Sequence, residues 1–169
     1  MRSGLDRWLA VLAVVLLGLV ALGAVAVWRT HQDRADAALA QERYGAVLAA
    51  ADAEATAFVN LRYDHARASV AAVAAGATGA FRRHYDSSSR RVVHVLRAHR
   101  SLMSGRVVSA GVLDIAPDRA TVIAATTGTV SNRGTHGREV ARTYRLRLDL
   151  VRTGDRWLTS NVRFVGFGS

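Results

Sequence analysis

The sequence predicts an α+β domain behind one N-terminal transmembrane helix, with about three helices packed on a curved antiparallel sheet of about four strands. Three observations lead there. Residues Trp8 to Trp28 form an apolar run without a charged side chain. From Val47 to about Ser101, apolar residues recur at the spacing of amphipathic helices. From Arg106 onward the period switches to two, the signature of strands with one buried face. Helices gathered ahead of strands joined by short loops give an antiparallel meander, because a parallel sheet needs long crossovers.

The chain divides into a short tail (1–7), an anchor (8–28), a stalk helix or linker (29–45) and the α+β domain (46–169). The anchor's length of about 21 residues spans roughly 31 Å as a helix, one hydrocarbon core. Trp8 and Trp28 stand at its ends, where amphipathic rings prefer the headgroup layer, and Arg7 and Arg29 bracket it from the water side. Ala24-Val25-Ala26 offers a signal-peptidase-like site, but the run is longer than the roughly 7–15 residues of a signal h-region, which favours an uncleaved anchor. Arg2 and Arg7 nearly balance Arg29 and Arg34; the amino terminus tips the count toward a cytoplasmic tail. The expected location is the plasma membrane, single-pass, with the C-terminal domain on the outer side.

Beyond the polar, alanine-rich stretch from Thr30 to Gln41, Val47, Ala51, Ala55 and Phe58, with Leu48 and Val59, mark one apolar helical face, and Asp52 and Glu54 are assigned to the opposite, charged face. Asp64 is expected to cap a second, short helix running to about Ala75, which Gly76 and Gly79 end. A third helix follows from about Gly79 to Ser101. Its apolar side is Phe81, Tyr85, Val92, Val95, Leu96 and Leu102, and the serines Ser87 to Ser89 are candidates to bend or break it. Strands follow at Val107 to Ile115, closed by a turn at the only proline, Pro117, and at Ala120 to Val130. After a flexible loop, Ser131 to Gly137, comes the clearest alternation: Tyr144, Leu146, Leu148 and Leu150 point one way, Arg145, Arg147 and Asp149 the other. Thr153-Gly154-Asp155 turns into a fourth strand, Arg156 to Val165, where Leu158, Val162 and Phe164 are assigned a shared face and Trp157 to packing.

The chain has 169 residues and a formal charge of +10. Roughly 120 residues remain after the anchor and stalk, enough for one domain with a core. Cysteine is absent, which excludes disulfides and thiolate metal sites. All 23 basic residues are arginine, which with the abundance of Ala, Val and Gly suggests GC-rich codon bias as a source of the basic balance. The charge is uneven: −3 from His31 to Asn60, +5 from Gly79 to Ser101 and +4 from Arg138 to the end. Arg83, Arg90 and Arg97 repeat every seven residues along one stripe of the third helix. Such a stripe is most often a solvated outer face; its functional meaning is docking of an acidic partner or of phosphates. The basic residues are spread over helix and strands without a recognised motif, so nucleic-acid binding is not expected. His31, His65, His84, His94, His99 and His136 form no metal-ligand pattern, and no phosphate loop or nucleophile triad stands out. No cofactor, metal or catalytic site is expected.

The sequence resembles the Mce-associated membrane proteins of actinobacteria, which accompany mammalian-cell-entry (Mce) lipid and sterol import systems. The resemblance rests on the single anchor, the stalk, the aromatic stretch Phe81 to Tyr85 and the closing hairpin. That hairpin runs from Tyr144-Arg145-Leu146-Arg147-Leu148 through Val151-Arg152-Thr153-Gly154-Asp155-Arg156-Trp157-Leu158 to Val162. Its glycine turn followed by Trp and an apolar residue is also similar to many nuclear-transport-factor-2-like domains. The resemblance implies a cone-shaped domain outside the plasma membrane and a scaffolding role without catalysis. The implied partners are Mce-type substrate-binding proteins or permease, and membrane lipids; a homo-oligomer stays open. The architecture is also similar to assembly factors of type IV secretion systems. Cone-shaped domains of this kind include steroid isomerases, which would cast Asp114, on the parity of Val108, Ala110 and Val112, as base and Tyr63 or Tyr85 as donor. An acid at a strand end beside a turn is more often a surface residue, so this pocket reading is the lesser one.

Overall fold

The computed structural model describes residues 37–166. Two compact units divide the chain, Met1–Arg43 and Tyr44–Ser169, and the second contains the α+β domain. The expected anchor with Trp8 and Trp28 lies outside the described residues. Among those described, no helix is long and apolar enough to cross a membrane.

Three helices precede four strands. Helix α1 is described over 37–58, so the described part of the expected stalk, 37–45, is helical and continuous with it. Then follow α2 (Ala66–Gly76), α3 (Gly79–His99), β1 (Leu102–Ile115), β2 (Arg119–Ser131), β3 (Val140–Thr153) and β4 (Arg156–Phe164). The sheet order is β1-β2-β3-β4 with every neighbouring pair antiparallel, as the short loops require.

The core follows from the alternation of β3. Leu146, Leu148 and Leu150 are buried, and each stands opposite a smaller residue of β2: Ala124, Val122 and Ala120. Large beside small leaves a level surface on which α1 lays Val47, Ala51 and Ala55, and Trp157 of β4 completes the cluster. A second cluster joins α2 and α3 through Ala66, Val70 and Leu96, with Tyr63, Tyr85 and Val92 against them. Asn60 fastens the end of α1 to β1. Its side-chain amide donates to the Thr56 and Gly105 carbonyls at 2.8 Å, and its Oδ1 accepts from the Gly105 N–H at 3.2 Å.

Several expectations are corrected. Asp64 does not cap α2: the N-cap position is His65, and Asp64 instead accepts from the His65 N–H and pairs with Arg62. The serines do not break α3, because Ser87, Ser88 and Ser89 return their hydroxyls to the carbonyls of His84, Tyr85 and Asp86 within an unbroken helix. Val95 is exposed rather than part of the apolar side. Leu158 does not share a face with Val162. Asn161 pairs with Asp149 but Thr159 with Leu150, so Ser160 is an extra residue that flips the parity, and Trp157 and Thr159 are the buried pair.

Gly128 faces Gly105 across β1 and β2. A Cβ on Gly128 would stand 2.2 Å from the Ser104 carbonyl oxygen and 2.6 Å from the Gly105 Cα, so only glycine allows this close approach. Gly128→Ala should therefore cost about 1–3 kcal/mol as an overpacking defect. Trp157→Ala should cost about 3–5 kcal/mol through the cavity it leaves. Urea unfolding curves of the purified variants check both.

Candidate functional site

The charged group with the most unusual setting is Glu54. It stands seven residues after Val47 and four before Phe58, so helical spacing turns it toward the apolar face of α1, and it is only 2% exposed. This corrects its assignment to the charged face; Asp52, two residues earlier, is exposed as expected. The carboxyl fits because α2 ends in Gly76: a Cβ there would lie 1.9 Å from Glu54 Oε2. Oε1 is buried without a hydrogen-bond partner. Burial alone acts on the group and pushes its pKa up to about 7. Phe58, one helical turn on, gathers with Phe81 and Tyr85 of α3, their ring centroids 6.0–6.3 Å apart. The Tyr85 hydroxyl is pushed up to about 12, first by burial and then by the Glu54 charge.

Glu54 lines a depression of about 420 Å³ bounded by α1, the last turn of α2 and the start of β4. Its other walls are mostly alanine, with Trp157 and Leu158 on the strand side and Asp155 and Arg156 at the turn. The Thr159 hydroxyl nearby is also buried and without a partner; the backbone of Thr159 bridges to Ala77, directly after Gly76.

A second concavity, of about 1000 Å³, runs between α2 and α3. Its floor is Val70, Ala71, Ala74 and Val93, and its rim carries Arg67, Arg82, Arg90 and Arg97. Arg82 is held at 2.7 Å by Asp86 and donates to the Ala74 carbonyl at 2.5 Å, which steadies the end of α2. Of the arginine stripe, Arg90 and Arg97 line this groove while Arg83 is exposed outside it. Arg67 and Arg82 join from positions the seven-residue repeat does not reveal.

The structure does not bring Asp114 together with Tyr63 and Tyr85. Val112 pairs with Val122 but Asp114 with Thr121, so Leu113 is an extra residue in β1 and Asp114 is turned to the exposed outer face. Both tyrosines pack in the α2–α3 cluster on the helical side. Another outward acid, Asp149, ties strands together: it accepts from Thr121 of β2 at 3.1 Å, from Arg147 of β3 at 3.3 Å and from Asn161 of β4 at 3.0 Å. Partial burial pushes its pKa up, but these hydrogen bonds more than offset that and hold it below the usual carboxylate range. Among the described residues no group of His, Asp and Glu converges as a metal site.

Three helices on a four-stranded antiparallel meander define a nuclear-transport-factor-2-like α+β fold, and solved structures of that kind are similar to this chain. A ketosteroid isomerase-like protein from Erwinia carotovora atroseptica is 24% identical with a TM-score of 0.54, over 72% of this chain and 93% of that one. An IcmL-like type IV secretion system protein from Legionella pneumophila is 8% identical with a TM-score of 0.57, over 72% and 91%. The periplasmic domain of DotI is 13% identical with a TM-score of 0.58, over 72% and 94%. At these identities the likeness establishes the fold alone. By sequence, the chain belongs to the family of Rv1363c/MT1408-like uncharacterized proteins, which matches residues 7–166. Rv1363c of Mycobacterium tuberculosis (strain ATCC 25618 / H37Rv) is 26% identical over 157 residues, 93% of this chain, and this chain spans 58% of that relative's length.

The buried acid predicts a pH-dependent stability. Because its folded pKa of about 7 exceeds the ordinary 4.5, the native state keeps a proton that the unfolded chain releases between those values. Its contribution is complete below pH 4.5 and is lost as pH rises through about 7, at most about 3 kcal/mol. Glu54→Gln, which cannot ionise, should be about 2–3 kcal/mol more stable than wild type at pH 8 and show no such advantage at pH 4.5. Urea unfolding at the two pH values measures the difference.

Proposed function

We propose that this protein is an accessory, scaffolding membrane protein of the cell envelope that assembles or stabilises an Mce-type lipid or sterol import system. What carries the proposal is one juxtaposition: an uncharged span of anchor length, Trp8 to Trp28, precedes a helix that enters a nuclear-transport-factor-2-like domain. In this reading the span is a single-pass anchor in the plasma membrane and the domain works on the outer side through its surfaces, without turnover of its own. The docking surface is the basic face of α3, where Arg90 and Arg97 flank the groove and Arg83 extends the charge beyond it. Exposed guanidinium groups steer and register an acidic partner, and they do so at little cost to folding.

A second reading, a scaffold of a type IV secretion apparatus, is favoured by the likeness in fold to the periplasmic domain of DotI and to the IcmL-like protein. Affinity purification of the tagged, intact protein from detergent-solubilised native membranes, followed by mass spectrometry, separates the two. Mce-type substrate-binding proteins or permease should be recovered; recovery of secretion-channel subunits instead would support the second reading and overturn the first. Reversing Arg83, Arg90 and Arg97 to Glu should lower partner recovery about tenfold or more while the thermal midpoint stays within about 2 °C. The pair Arg90→Glu and Arg97→Glu should account for most of that loss, and undiminished recovery would make the stripe an ordinary solvated face.

A further inference from the structure

We infer that the depression holding Glu54 is a binding site for a small, neutral, largely apolar molecule that presents a hydroxyl group to the Glu54 carboxyl. Burying a carboxyl without a partner is costly, and α1 carries one on its core side with Oε1 unsatisfied. The surroundings are shaped to keep it there: any side chain at position 76 would strike Oε2, so a glycine stands where α2 ends. Oε2 lies over Gly76, and both residues line the cavity. The rest of the helical wall is apolar and small, Ala46, Ala50 and Ala53 along α1, and Trp157 lines the strand side. At about 420 Å³ the space is of ligand size, with the Glu54 carboxyl as the polar group of its helical wall and Asp155 and Arg156 at the turn on its edge, and a few placed polar groups in such a cleft orient a ligand.

The chemistry of the carboxyl selects an alcohol. With a pKa near neutrality, both its protonated and its ionised forms are populated at pH 7. A hydroxyl donates to the anion and accepts from the acid, whereas an ammonium suits only the anion and a carboxylate only the acid. This inference is independent of the scaffolding role proposed above, because it concerns the depression between α1, the end of α2 and β4 and not the α2–α3 groove.

The test uses the full-length chain in phosphatidylcholine nanodiscs. Replacing Trp8 and Trp28 by Phe leaves Trp157, a cavity-wall residue, as the sole tryptophan and therefore the reporter. Cyclohexanol and methylcyclohexane, nearly equal in size, are titrated against its emission, with empty nanodiscs correcting for partition into lipid. Cyclohexanol should give a saturable change and, once each affinity is divided by that probe's water-to-alkane partition coefficient, bind about fivefold or more tightly than methylcyclohexane, as expected for one hydrogen bond. Glu54→Leu should abolish that preference, Glu54→Gln should keep most of it, and Ala50→Leu, which fills the cavity and leaves Glu54 in place, should remove binding of both probes. Circular dichroism checks each variant; should Glu54→Leu not fold, Glu54→Gln and Ala50→Leu decide the matter. A non-saturable response, equal partition-corrected binding of the two probes, or binding undiminished by Ala50→Leu would overturn the inference.

Discussion

The domain depends on the fit between one helix and one sheet face. Leu146, Leu148 and Leu150 alternate inward on β3, their β2 partners are small, and α1 rests on that surface with Val47, Ala51 and Ala55. Alanines on the helix bring its backbone close to the sheet, and close approach leaves little freedom for side chains at the helix margins. That is why Glu54 and Gly76 are coupled: once α1 is seated, the volume beside residue 54 belongs either to its carboxyl or to a side chain on α2, and the sequence grants it to the carboxyl.

The same packing sorts the acids by environment. Asp149 lies on the outer face among Thr121, Arg147 and Asn161, which favour its charge, while Glu54 lies on the inner side with nothing to offset its desolvation. One acid stitches three strands; the other remains unsatisfied within the protein, which makes it the group most open to an external partner.

The element order, the antiparallel meander and the core faces of α1 and β3 are legible in the sequence because each rests on a periodicity sustained over several turns or residues. What was not legible traces to single residues that break a period. One extra residue at Leu113 turns Asp114 outward, and one at Ser160 separates Leu158 from Val162; neither carries a compositional mark. Glu54 did carry a signal, its spacing from Val47 and Phe58, but a carboxylate defaults to solvent unless a space for it is known, and that space is made by Gly76 of another helix. The arginine groove was half visible: a seven-residue repeat finds Arg90 and Arg97, while Arg67 and Arg82 meet them only through the pairing of α2 with α3.

The extra residues in β1 have a further effect on how the domain meets other polypeptides. β1 is an edge of the sheet, and its ladder is interrupted at Val108 and again at Leu113, both of which are exposed. A strand from a neighbouring chain could not run far along this edge before its hydrogen-bonding groups fell out of step. The start of the same edge is already occupied, since Arg62 bridges to Leu102 and the Met103 N–H donates to the Leu61 carbonyl. An edge so broken resists fibre-like growth by sheet extension on the β1 side.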